Sequence, residues 1–194
     1  MRWLAALLPL VLVPAPSAAA EFSSAYTDFD LSRCVRIEKA DGQEFYGTWS
    51  CKGFRGLPLT YAEGDLRGML AVGKNGKRHC AMVQTFGPFN SPGSRIEWRL
   101  KNGKAIAMIL RWKVSDPERS DVTHDWLAVT KWTARDSCRV AVVQGSLKNA
   151  NALARQAADQ TAEEFDCARD EARVYSESPM AISAILSASP CPPP

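Results

Sequence analysis

The chain has 194 residues, with 24 Lys and Arg against 21 Asp and Glu, for a formal net charge of +3. That balance is too small to make a nucleic acid or an anionic membrane the expected partner. The length suits one domain with a real core, and no stretch after the N-terminal segment is long and apolar enough to span a bilayer.

The N-terminus opens with Met1-Arg2, an apolar run from Trp3 to Val13, and PAPSAAA before Glu21. A positive start, a short apolar run and small residues at a cleavage site mark a secretory signal peptide over residues 1–20. An exported chain meets an oxidising compartment, so the six cysteines are expected to form disulfides. Residues 21–173 are expected to form a single β-rich domain. The Ser/Ala/Pro-rich segment 174–194 is expected to be a disordered tail, with a short helix possible at Met180–Leu186.

From Ser32 to Val143 the pattern is strand-like. Strands are predicted at 34–39, 45–51, 57–62, 66–73, 78–85, 95–100, 104–114, 124–133 and 138–144, joined by short turns that imply antiparallel neighbours. Asp41-Gly42 turns the first two strands, which sets Cys34 opposite Cys51 and Arg36 opposite Trp49 as a stacked pair. Asn75-Gly76 predicts a second hairpin, of 66–73 with 78–85. The loop from Thr85 to Gly93 is rich in Gly and Pro, and its Phe86 and Phe89 are expected to plug one end of a barrel or sandwich or to form a lip over a cleft.

Asn102-Gly103 marks a third hairpin. A three-residue loop, Lys101-Asn102-Gly103, sorts its faces cleanly, with Trp98 opposite Ile106 and Ile96 opposite Met108 on a core face. The other face carries Arg95, Glu97, Arg99, Arg111 and Lys113 beside Ala105 and Ala107, a charged surface that is either solvated or able to hold an anion. A helix is predicted over 149–171, capped by Asn149 or Asn151, with a largely alanine stripe through Ala150, Leu153, Ala154, Ala157, Thr161, Phe165 and Ala168. A strand from Cys138 to Val143 and a helix folding back along it have similar lengths, so Cys138 is expected to pair with Cys167. Cys80 and Cys191 are then either paired with each other or free.

Few residues point to chemistry. His79 and Cys80 are adjacent on a predicted strand, where neighbours point to opposite faces, so they are not expected to form a nucleophilic dyad. No metal-ligand cluster or phosphate-binding glycine loop occurs, and no cofactor is expected. Glu63-Gly64-Asp65-Leu66-Arg67 places two carboxylates about a glycine turn, either as an acid–base pair or as a turn bridged by Arg67. The tryptophans Trp49, Trp98, Trp112, Trp126 and Trp132 are expected mainly in the core.

The runs GTWSCKGFRGLPLTYAEGDLR at 47–67, QTFGPFN at 84–90, IEWRL at 96–100, ILRW at 109–112 and NANALARQAAD at 149–159 resemble an uncharacterised family of small exported, periplasmic bacterial proteins. The resemblance implies export and one compact domain, and carries no activity or ligand. The expected fold is α+β, mostly antiparallel β (a curved sheet, sandwich or barrel-like), with one C-terminal helix packed on the sheet. The expected function is a periplasmic or secreted binding or interaction module of the bacterial envelope. Its partner would be an envelope protein, a glycan or a small anion, met through Glu63, Asp65, Arg67, Phe86, Phe89, Arg95, Glu97, Arg99 or Arg111. The alternative is a hydrolase of an envelope polymer that uses Glu63, Asp65 or Glu97.

Overall fold

A computed structural model describes residues 20–39, 46–177 and 191. The signal segment through Ala19, the Asp41-Gly42 turn and the helix expected at Met180–Leu186 lie outside the described residues. In chain order the elements are β1 (Phe22–Asp28), β2 (Val35–Lys39), β3 (Gly47–Lys52), β4 (Pro58–Gly64), β5 (Arg67–Val72), β6 (Asn90–Lys101), β7 (Lys104–Ser115), β8 (Thr123–Trp132), β9 (Ser137–Gln144), α1 (Ala150–Thr161) and β10 (Arg173–Tyr175). All the strands join one mixed sheet in the order β10-β9-β8-β7-β6-β5-β4-β3-β2, and β1 also pairs with β6. This is the α+β architecture expected, with a single helix packed on a mostly antiparallel sheet.

The sheet curls over itself without closing. Leu59 and Tyr61 of β4 and Leu70 and Val72 of β5 share one core with Trp98 of β6, Met108 and Trp112 of β7 and Val142 of β9. Trp98 shows how tightly these layers meet. It is fully buried, donates through Nε1 to Thr27 Oγ1 at 2.9 Å and stacks on Phe54. Gly53 lies flat against its ring, and a Cβ there would come within 2.6 Å of the indole. The outer face of β6–β9 is covered by α1. Ala154, Ala157 and Ala158 let the helix backbone approach Ile109, Val129 and Val143 closely, as an alanine stripe should.

The β6–β7 hairpin corrects the expected register. Lys101 pairs with Lys104, so the loop has two residues, with Asn102 and Gly103 at φ 50° and 75°. This is the backbone that Asn-Gly supplies best. A bulge between Arg99 and Leu100 in the register then shifts Trp98 opposite Met108 and Ile96 opposite Leu110. The pairing is therefore two residues away from the expected one. Two residues preserve the parity of a strand, so Ile96, Trp98, Met108, Leu110, Trp112 and Val114 keep their predicted core face, while Ala105, beyond the bulge, turns from the charged face to the core beside Leu100.

The hairpin expected at Asn75-Gly76 does not form. Asn75 takes φ 58°, and the chain continues through short 3-10 turns at Gly76–Arg78 and Cys80–Met82. Residues 73–89 instead cross the seam between β5 and β9, which no ladder closes. Side chains stitch this seam. The Val72 N–H donates to Ser137 Oγ, Ser137 Oγ lies 3.0 Å from His79 Nδ1, and Asp136 Oδ1 accepts from the Cys80 N–H. The Gln84 side chain accepts from the Arg139 N–H, and Thr85 Oγ1 donates to the Gly68 carbonyl.

Cys34–Cys51 and Cys138–Cys167 are bonded as expected, and Cys80 is bonded to Cys191. Helix α1 ends at Thr161 rather than 171. Beyond it, Lys131 Nζ donates to the Phe165 carbonyl and Cys167 is tied to β9, which draws the chain off the helix axis. Asn149 is the N-cap residue but makes no side-chain cap, and Asn151 instead accepts from Arg111. The expected tail begins inside β10, which runs parallel to β9. Strand β1 had no counterpart in the sequence analysis. Three disulfides fit an oxidising environment, and among the described residues no helix is long and apolar enough to cross a membrane.

Candidate functional site: a groove where two strands exchange

Strand β6 changes partner along one edge. β5 pairs with it only at Arg67–Asn90, whereas β1 pairs with it from Arg95 to Lys101. Between these two partners, Ser91 and Pro92 have no ladder partner on that edge, and the β6–β7 register breaks between Pro92 and Ile96. A groove of about 680 Å³ opens at this fork. The chain leaving β1 forms one wall, where the Phe29 N–H donates to the Ser94 carbonyl and Asp30 caps the 3-10 turn at Leu31–Arg33. Tyr61 and Glu63 of β4 form the other wall. Ligand sites favour such switch points because diverging strands leave a concave edge there.

The groove is acidic, with Asp28, Asp30 and Glu63 set against Arg33. These carboxylates do not gather as a metal-holding group. The Tyr61 hydroxyl donates to Glu63 Oε2 at 2.9 Å. Burial, with the Glu63 charge adding to it, pushes the Tyr61 phenol far above its ordinary range, so it stays protonated and acts as a fixed donor. Tyr61 is held from below by the edge of Phe29 and by Trp49. Gly68 lets it sit there, since a Cβ at that position would come within 2.9 Å of the Tyr61 hydroxyl. Asp30 is occupied by the Ser32 hydroxyl and N–H, which hold its carboxyl below the usual range. Both Ser32 hydrogen bonds use Oδ1 of Asp30, and the Tyr61 bond uses one oxygen of Glu63. The site thus offers carboxylate acceptors and serine hydroxyls over an apolar floor of Phe29, Leu31 and Pro92.

The other residues singled out in the sequence fall into separate places. At the β4–β5 turn the positive φ values belong to Asp65 (51°) and Leu66 (59°), and Gly64 lies outside the turn, paired with Arg67. Asp65 is bridged by Arg67, whose Nε donates to the Gly87 carbonyl at 2.6 Å and whose guanidinium covers the Phe89 ring. Asp65, Arg67 and Phe89 are therefore brought together at a loop tip, while Phe86 is fully buried against Trp112. Phe86 is the plug that the sequence predicted. Phe89 is not a plug, being 41 % exposed.

The middle of the hairpin's charged face, Glu97 and Arg99, is covered by α1, while Arg95 and Lys113 at its edge stay exposed. Glu97 is only 8 % exposed and accepts from Arg155 of the helix and from Ser24 of β1. Arg99 is bound bidentately by Asp159 at 2.6 and 2.7 Å. Arg111 reaches Asp125 and Asn151, and exposed Arg95 lies over the Tyr26 ring. Glu63, Asp65 and Glu97 thus occupy three sites with three different partners, and no two of them form an acid–base pair. Asp28, Asp30, Tyr61 and Ser94 were not singled out in the sequence. The one available signal was the SPGS break before an otherwise regular strand, which marks a place where pairing changes.

The chain matches no protein-family model, no curated protein and no solved structure.

Proposed function

We propose that this is an exported, disulfide-pinned binding module of the bacterial envelope, and that its ligand enters the groove between β1 and β4. One observation carries the reading. The exchange of β5 for β1 along β6 builds a concave site whose polar groups, Asp28, Glu63 and the serines, are aimed outward from a rigid, aromatic-backed wall. Carboxylates fixed in this way are acceptors, so the fitting ligand is rich in donors, as the hydroxyls and amines of an envelope glycan are. The export signal and the resemblance to small exported proteins support the location, and three disulfides agree with it.

The test is affinity capture on immobilised cell-wall fragments, with the protein lacking residues 1–20 and its Glu63→Gln variant. Glu63→Gln keeps the shape of the wall and removes its charge. Retention of the parent protein and at least about tenfold weaker retention of the variant is expected, the loss of one charge-assisted bond. Equal retention of both, or of neither, counts against the groove.

A further inference from the structure

The Asn75-Gly76 turn makes no hairpin, and what it makes instead is one wall of a second groove. This groove, of about 840 Å³, lies between the 73–78 loop and the edge of the sheet at β2–β4. Thr60 lines it while its neighbour Tyr61 lines the first groove, so the two sites lie on opposite faces of β4. The loop is held firmly for a surface turn. The Gly73 N–H donates to the Pro58 carbonyl at 2.9 Å, Lys77 pairs with Glu38 of β2, and Glu38 also accepts from Thr48 of β3. Gly76 is buried against Thr60, where a Cβ would come within 2.7 Å of the Thr60 Cβ. Just beyond the loop, His79 meets Ser137 and Cys80 is bonded to Cys191.

The charge of this groove is one-sided. Lys74, Lys77 and Arg78 line it and no carboxylate does. Glu38 neutralises Lys77 from outside the lining. Lys74 and Arg78 are exposed, and among the described residues neither side chain has a hydrogen bond or an ion pair. Two hydroxyls face the same space. Ser50 and Thr60 are cross-strand neighbours, and neither hydroxyl has a partner among the described residues. Thr60 is only 8 % exposed, so a hydroxyl that would normally be bonded inside the protein is kept for what enters the groove. Ile37, half-exposed at the bulge in β2, and Pro58 add an apolar strip. This pattern selects among anions. A carboxylate carries one charge and two acceptor oxygens. A phosphate monoester carries about two charges and three acceptor oxygens at neutral pH, which matches Lys74 and Arg78 in charge and leaves an oxygen for the hydroxyls. The volume is within the range of small-molecule sites, about 300–1,000 Å³, and has room for the body that carries the phosphate.

We infer that the groove between the 73–78 loop and β2–β4 binds a phosphate monoester on a partly apolar body. Lys74 and Arg78 meet the phosphate charge, Thr60 and Ser50 donate to its oxygens, and Ile37 and Pro58 meet the body. A sugar phosphate and an alkyl phosphate both present this chemistry. The site does not rest on the groove between β1 and β4.

The experiment is calorimetric titration of the disulfide-intact protein, in phosphate-free buffer at fixed ionic strength. The probes are glucose 1-phosphate and hexyl phosphate, each against its uncharged counterpart, methyl glucoside and hexanol. Saturable binding of at least one ester and of neither uncharged compound is expected, and the tighter ester identifies the body. Lys74→Gln and Arg78→Gln should each weaken that ester by about tenfold, the loss of one hydrogen bond to a charged group, and should flatten its salt dependence. Thr60→Val keeps the shape of the floor and should weaken the ester by about fivefold with the salt dependence unchanged. Lys74 and Arg78 are exposed and unpaired among the described residues, so their variants are expected to melt with the parent. No saturable binding of either ester, uncharged compounds that bind as tightly as the esters, or an affinity unchanged in any of the three variants overturns the site.

Discussion

The two faces of β6–β9 handle buried charge in opposite ways. On the helix face Glu97 meets Arg155 and Arg99 meets Asp159, opposite charges carried by α1, while Lys131 donates to the Phe165 carbonyl beyond the helix. The surrounding residues are alanines and valines that tell the helix where to lie only loosely, so these ion pairs fix its position along the sheet. On the inner face tryptophan, tyrosine and phenylalanine interlock by shape, and the one buried cation, Arg139, has no opposite charge. Shape specifies the inner layer and charge specifies the outer one.

The contrast can be broken at either face. Trp98→Ala should have the largest effect, a loss of about 3–5 kcal/mol in chemical denaturation, because it empties the point where β1, β6 and the Phe54 turn meet. On the other face Asp159→Ala leaves Arg99 without its bidentate partner. These side chains are 12 % and 19 % exposed, so a cost of about 2 kcal/mol is expected, below that of a fully buried pair. The double variant Arg99→Met, Asp159→Leu should recover most of that loss, and a double variant as unstable as Asp159→Ala would show that the pair does more than balance charge. Arg139→Met sharpens the comparison from the inner side. In chemical denaturation it should be within about 1 kcal/mol of the parent, because its removal orphans no carboxylate and leaves only the Gln84 carbonyl without its donor. The smallest effect belongs to the hairpin. Gly103→Ala meets open space but sits at φ 75°, so denaturation should report only the backbone cost, about 1 kcal/mol.

What the sequence revealed follows the range of each interaction. Cys34–Cys51 was legible because its two cysteines are only 17 residues apart in sequence. Cys138–Cys167 was expected from matching strand and helix lengths, but α1 ends at Thr161 and it is the chain beyond the helix that brings Cys167 back to β9. The faces of Trp98 and Trp112 were legible from alternation alone, which survives a register error of two residues. The bulge that caused the error carries no local signature. The Asn75-Gly76 signal resembles that of Asn102-Gly103, yet only the second makes a hairpin. The first is outweighed by long-range demands on the residues after it: Cys80 bonds Cys191, His79 meets Ser137, and Gln84 caps the β9 edge. The groove was hidden for a related reason, because it arises where β1 replaces β5, and β1 (FSSAYTD) is too polar to stand out as a strand. Arg139 was more accessible, since the outward bond of Cys138 already implies that the next residue points inward.

The most direct test of the binding account is a titration of isotope-labelled protein with soluble cell-wall fragments, followed by backbone amide chemical shifts. The account predicts saturable changes confined to residues 28–33, Tyr61, Glu63 and 91–94, absent in Glu63→Gln. Changes centred on the Leu66–Phe89 tip, or no saturable change at any fragment concentration, would contradict it.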